Sequence, residues 1–132
     1  MSQTECCPRV PVSWGELIDK ITILEIKSER IDDAAKRRNV QTELALLDAR
    51  RATAPASSEV DRLTAELKAV NTELWVIEDD IRDCERAQDF GPRFIELARA
   101  VYHTNDKRAA LKRALNEALG SAIVEEKSYK PY

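Results

Sequence analysis

The stretch SEVDRLTAELKAVNTELWVIEDDIRDC, residues 58–84, decides the fold class. Within it Val60, Leu63, Leu67, Val70, Leu74, Ile77, Ile81 and Cys84 recur at alternating spacings of three and four. That period places them along one stripe of an α-helix. A sustained heptad stripe packs best against another helix, at about +20° in a left-handed supercoil. Ser58 stands as the N-cap, with Asp61 three residues on. Such a helix of roughly 30 residues is about 45 Å long, which predicts an elongated molecule.

Reading outward toward the C-terminus, Asp89, Phe90, Gly91 and Pro92 form a turn. Pro92 suits the first turn of a helix. Phe94, Leu97, Ala98, Val101, Tyr102, Leu111, Leu115 and Leu119 then mark a fourth helix, with Gly120 as its C-terminal cap. Thr104, Asn105 and Asp106 are expected to kink or divide it, because such side chains compete for backbone bonds. An antiparallel hairpin about residues 88–91 would set the acids of residues 78–85 beside Arg93, Arg99 and His103.

Toward the N-terminus, the linker Thr53-Ala54-Pro55-Ala56-Ser57-Ser58 separates the heptad helix from a shorter one marked by Val40, Leu44 and Leu47. Asn39 is its expected cap, and Asp32 and Asp33 weaken what precedes it. The first helix opens at the capping box Ser13-Trp14-Gly15-Glu16, with Val12 placed to staple against Leu17. Its stripe runs through Trp14, Leu17, Ile18, Ile21, Leu24 and Ile31, but Ile23 and Ile26 lie off it. A helix apolar on more than one side is buried on two faces or meets a partner. Residues 1–12 are expected as an extended arm, 13–120 as one helical domain and 121–132 as a flexible tail. The fold class is therefore all-α: an elongated antiparallel bundle of about four helices with coiled-coil-like packing.

Composition agrees. The chain has 132 residues, 34% charged and 43% hydrophobic, but only 5% aromatic and three glycines. That is the composition of an aliphatic helical bundle, long enough for one core. The net charge of −3 is interleaved, so no single-sign field suits nucleic acid or an anionic membrane. No apolar run approaches the length of a membrane span, and no secretory signal is evident, so the expected location is cytoplasmic. Cys6, Cys7 and Cys84 do not form a disulfide framework. Cys6 and Cys7 read as part of the arm, and Cys84 as a small buried hydrophobe.

Few constellations carry chemistry. Glu16 and Asp19, and Asp80 and Asp83, are acidic pairs one helical turn apart. Two such pairs on facing helices could hold Mg²⁺ through oxygen ligands, an arrangement that loosely resembles the all-α nucleotide pyrophosphohydrolases. Only one E-x-x-D and one D-x-x-D are present, short of that family's full set. Arg108 and Lys112 share a helix face and could grip a phosphate or carboxylate. His103, the single histidine, has no readable nucleophile. Asn71, Asn105 and Asn116 border apolar stripes, where a buried Asn fixes register. Trp14 and Trp75 read as packing anchors.

The segment Ser13-Trp14-Gly15-Glu16-Leu17-Ile18-Asp19-Lys20-Ile21-Thr22-Ile23-Leu24-Glu25-Ile26-Lys27 resembles the opening of a family of small bacterial all-helical domains of unknown function. Residues 77–82, 94–99, 105–113 and 125–129 resemble later parts of it, so the likeness runs from Val10 to Tyr129. The resemblance implies a stand-alone helical domain with no established activity. It further implies a setting near or fused to tetratricopeptide repeats and glycosyltransferase modules, in an accessory role. It singles out polar positions that a bare bundle would not need: Glu16, Asp19, Lys20, Asp80, Asn105, Asp106, Arg108, Lys112, Lys127 and Tyr129. These are the ligand-binding candidates.

We read the chain as a non-enzymatic interaction module without a cofactor, self-associating as a homodimer or meeting another protein. The second reading is a Mg²⁺-dependent hydrolase of a nucleotide or other phosphorylated metabolite, with Glu16, Asp19, Asp80 and Asp83 as metal ligands.

Overall fold

The computed structural model describes residues 7–132, so Cys6 lies outside the described residues. Four helices follow in order: α1 Trp14–Arg30, α2 Ala34–Arg51, α3 Ser58–Arg86 and α4 Pro92–Leu119. No strand occurs among the described residues. α3 and α4 form a long hairpin. α1 lies across the base of that hairpin and also packs against α2, so it touches all three other helices. Its apolar residues on two sides are used accordingly: Leu17, Ile18, Ile21, Leu24 and Ile26 are all buried.

The helix ends correct several sequence expectations. Asp33, rather than Asn39, caps α2: its carboxylate accepts from Lys36 N–H at 2.9 Å. Asn39 lies inside that helix. Ser57, rather than Ser58, caps α3 and accepts from Val60 N–H at 3.2 Å. Gly91 and Pro92 open α4 as expected, and Gly120 closes it with φ of 62°. α4 runs unbroken through residues 104–106. Packing along α3 and α1 overrides the local preference of Asn and Asp, and Thr104 is buried there. Val12, expected to staple against Leu17, stays exposed, whereas Leu17 is buried.

α3 ends in a Schellman turn. Asp89 N–H bonds Cys84 O and Gln88 N–H bonds Glu85 O, with Gln88 in the left-handed region at φ of 56°. The central core gathers Ile18, Val60, Leu63, Leu67 and Leu115. Burial along the α3 stripe then stops. Val60, Leu63, Leu67 and Asn71 are buried, whereas Leu74, Ile77, Ile81 and Cys84 are half-buried. Cys84 is thus less buried than expected, because no third helix reaches that end of the hairpin.

Candidate functional site

The N-terminus of α1 comes unusually close to α4. A Cβ on Gly15 would lie 2.4 Å from the backbone carbonyl oxygen of Lys112, so only glycine fits there. The approach lets Gly15 N–H donate to Asn116 Oδ1 at 2.7 Å, and Trp14 N–H to Ser121 Oγ at 3.3 Å. Ser13 Oγ accepts from Glu16 N–H at 3.1 Å. The opening amides of α1 are thereby satisfied within the protein. The Glu16 carboxylate, which a capping box would turn back to the Ser13 amide, bonds Lys112 instead.

Glu16 and Asp19 stand one turn apart on α1, facing Lys112 and Arg108, one turn apart on α4. Lys112 Nζ donates to Glu16 Oε2 at 2.7 Å. Arg108 grips Asp19 with two bonds, Nε to Oδ1 at 2.9 Å and Nη2 to Oδ2 at 2.5 Å. Asn71 of α3 donates through Nδ2 to Asp19 Oδ1 and to Thr22 Oγ1, both at 2.9 Å. Thr22 Oγ1 in turn donates to the Asp19 carbonyl at 2.7 Å. Asp19 is only 1% exposed. The tail completes the cluster: Glu125 Oε1 accepts from Lys112 at 3.4 Å and lies 3.5 Å from Lys127 Nζ, which sits 5.8 Å above the Tyr129 ring.

Electrostatics follow from this geometry. The Asp19 hydrogen bond holds the Arg108 guanidinium above its ordinary value, against the opposing effect of burial. Burial pulls Lys112 down, but the carboxylates of Glu16, Asp19 and Glu125 outweigh it and leave the ammonium raised. Burial pushes Glu125 up, yet Lys112 and Lys127 leave it lowered. Three acids thus meet three bases. Among the described residues no buried side-chain nitrogen or oxygen is without a partner. Chemically, such a neutral, satisfied cluster clamps α1 to the hairpin and fixes its position.

The model of a family of unknown function, DUF6165, matches residues 8–132. The chain belongs to that family. No curated protein and no solved structure is significantly similar to it.

In this DUF6165 member the structure gathers Glu16, Asp19, Arg108, Lys112, Lys127 and Tyr129 at one place. The other candidates lie elsewhere. Lys20 faces α2 and pairs with Glu43 at 3.0 Å. Asp80 meets Arg93 at 3.4 Å near the hairpin tip, and Asp83 bonds Arg86 within α3. Asp106 accepts from the Tyr132 hydroxyl, and Asn105 is exposed. The four carboxylates of the magnesium arrangement therefore fall into two separate pairs. Arg93 and Arg108, their respective partners on α4, stand about 22 Å apart along the helix. No group of three or more His, Cys, Asp or Glu with metal-binding geometry occurs among the described residues.

Sequence reasoning left Asn71, Thr22, Asn116 and Glu125 out of the site. Asn71 and Asn116 were legible as polar interruptions of apolar stripes. Thr22 and Glu125 were legible only as members of the first and last motif segments. The tail lies against α4: Glu126 pairs with Arg113 at 3.3 Å, and Tyr132 packs on His103 and Tyr102 at 4.7 and 5.0 Å between ring centroids. Residues 121–132 thus run back along α4 rather than away from it.

Proposed function

We propose that this protein is a non-enzymatic assembly module whose uncovered hairpin end pairs with a second copy of the chain. The observation that carries this reading is the point where the α3 stripe outlasts its cover. The last buried position of α3 is Asn71, and the helix runs on to Arg86. At about 1.5 Å per residue that stretch is about 22 Å of helix. Along it Leu74, Ile77 and Ile81 keep partial exposure, and Val76, Phe90, Ile95 and Tyr102 are exposed at 42%, 47%, 55% and 42%. α2 lies against α1, and its Arg51 bonds Thr64 and Asp61 near the start of α3, away from that end.

Charge favours a second copy as the occupant. Residues 78–86 of α3 carry five acids and two bases, whereas residues 92–103 of α4 carry two arginines and one glutamate. A two-fold pairing of hairpins sets the acidic helix of each copy beside the basic helix of the other. The contact is modest in size. A patch about 20 Å long and two helices wide, about 20 Å, presents on the order of 400 Å² per copy in projection, about 800 Å² in total, which is below a standard interface and in the range of weak, transient ones. Association is therefore expected to depend on concentration, with a dissociation constant on the order of micromolar.

Sedimentation equilibrium across that range tests the reading. A dimer that dissociates on dilution is expected, together with a monomeric V76K/I95K double variant of unchanged helix content. A wild-type chain that stays monomeric at high micromolar concentration would overturn it. The magnesium-dependent alternative gains no specific support, since its carboxylates stand paired with arginine or lysine at two distant places.

A further inference from the structure

Beside the α1–α4 clamp lies a cleft of about 170 Å³, lined by Ser13, Ala109, Ala110, Lys112, Arg113, Asn116, Glu125 and Lys127. Its chemistry is lopsided. Three of these side chains are cationic, and the one anion is Glu125, contributed by the tail. The two alanines leave the α4 wall open. Asn116 Oδ1 is already taken by the Gly15 amide, so Asn116 has only its Nδ2 donor left to offer. Ser13 Oγ accepts from Glu16 N–H and keeps its own hydroxyl proton to donate. Everything but Glu125 is suited to an anion.

The tail holds this position weakly. Its carboxylates stand 3.4 Å from Lys112 and 3.3 Å from Arg113, long for charged hydrogen bonds. By contrast, the Lys112–Glu16 and Arg108–Asp19 bonds on the other side are 2.7 and 2.5 Å. Lys112, with its side chain only 11% exposed, would face the cleft with less compensation if the Glu125 carboxylate swung aside. Gly120, in the left-handed conformation, turns the chain so that the tail runs back along α4 and keeps Lys127 at the cleft.

We propose that this cleft is a binding site for a phosphate group, in which the phosphate displaces the Glu125 carboxylate from Lys112 and is held by Lys112, Arg113 and Lys127. Glu125 and Glu126 act as an internal stand-in for the ligand. The volume is below that of an ordinary drug-sized pocket, so the group bound is compact: a phosphoryl or pyrophosphoryl end of a larger molecule, or the free ion. This site is separate from the uncovered hairpin end, and its test is independent of assembly.

The experiment is calorimetric titration of the full chain with inorganic pyrophosphate at low salt. The E125Q/E126Q variant, which removes the competing charges, is expected to bind about tenfold more tightly than wild type. R113A/K127A, altering the two exposed cations of the cleft, is expected to bind about tenfold more weakly, with a thermal midpoint lowered by no more than a few degrees, as for surface ion pairs. Affinity should fall as salt rises. A phosphorylated sugar binding more tightly than pyrophosphate would identify the end group of a metabolite as the source, and the reverse order the free ion. Absence of saturable binding to both wild type and E125Q/E126Q at millimolar ligand overturns the proposal. So does binding that R113A/K127A leaves unchanged.

Discussion

Replacing Asp19 with alanine tests whether the charged cluster holds the fold together. The carboxylate accepts three hydrogen bonds, two from Arg108 and one from Asn71, at 1% exposure. In the variant Asn71 keeps Thr22 as an acceptor, so its loss is small. Arg108 loses both acceptors, while its side chain stays only 30% exposed. Breaking a buried pair by removing one partner costs about 3–5 kcal/mol, chiefly from the uncompensated charge. Because water still reaches part of Arg108, the lower figure applies, about 3 kcal/mol, or roughly 10 °C in thermal midpoint. Urea unfolding followed by circular dichroism measures it, provided the slope matches wild type. The double variant D19L/R108M removes both charges and should recover most of the loss. A cost for D19A below about 1 kcal/mol would refute the reasoning, because the pair would then behave like a surface contact. A double variant no more stable than D19A would also refute it.

Three further outcomes follow from the same structure. Gly15→Ala should destabilise the protein by about 1–3 kcal/mol in urea unfolding, although alanine is the better helix former by about 1 kcal/mol, because the new Cβ meets the Lys112 backbone. Gln88→Gly should raise stability by about 0.5–1 kcal/mol, since it relieves a left-handed conformation that glycine adopts freely; an unchanged thermal midpoint would argue against that strain. Lys112 is raised in the fold, so its contribution is fully present below its ordinary 10.5 and is lost as pH rises through the higher folded value. Glu125 is lowered, so its contribution is present above its ordinary 4.5 and is lost as pH falls through the lower folded value. Urea midpoints measured across both ends should decline there, with E125Q flattening the acid limb and weakening the alkaline one, since Glu125 also helps to hold Lys112 raised.

The architecture was legible because its signals are local and periodic. The α3 stripe, the turn at Gly91 and Pro92, and the Gly120 cap each need only neighbouring residues. Errors fell where two local signals competed. Ser57 and Ser58 both suit an N-cap, and Asp33 and Asn39 both suit the start of α2. Thr104, Asn105 and Asp106 disfavour a helix locally, yet α1 and α3 pack alongside and hold it straight. The candidate site was half legible for a related reason. Spacing along one helix places Glu16 beside Asp19 and Arg108 beside Lys112, but it cannot say that the two pairs meet. That depends on Gly15, whose missing side chain allows α1 to approach α4. The partner from α3, Asn71, stands 52 residues from Asp19 and was visible only as a polar break in a stripe.

Once the pairing is known, most of the first motif has a structural reason. Ser13 caps, Trp14 and Gly15 donate to α4 and the residue after it, Glu16 and Asp19 hold Lys112 and Arg108, and Thr22 and Asp19 receive Asn71. Every one of these polar groups is satisfied inside the chain, so the motif alone does not call for a ligand. What it does is lock α1 at a fixed height on the hairpin. Apolar packing alone would tolerate sliding by a turn with modest change in buried area, whereas sliding here would strand the buried Asp19 carboxylate and the Asn71 amide. The clamp therefore determines where the cover of the α3 stripe ends, near Asn71, and how much of the hairpin projects beyond it. With its polar network closed at one end and its apolar stripe running on at the other, the chain keeps its uncovered apolar surface at that second end, which is where we propose that a second copy docks.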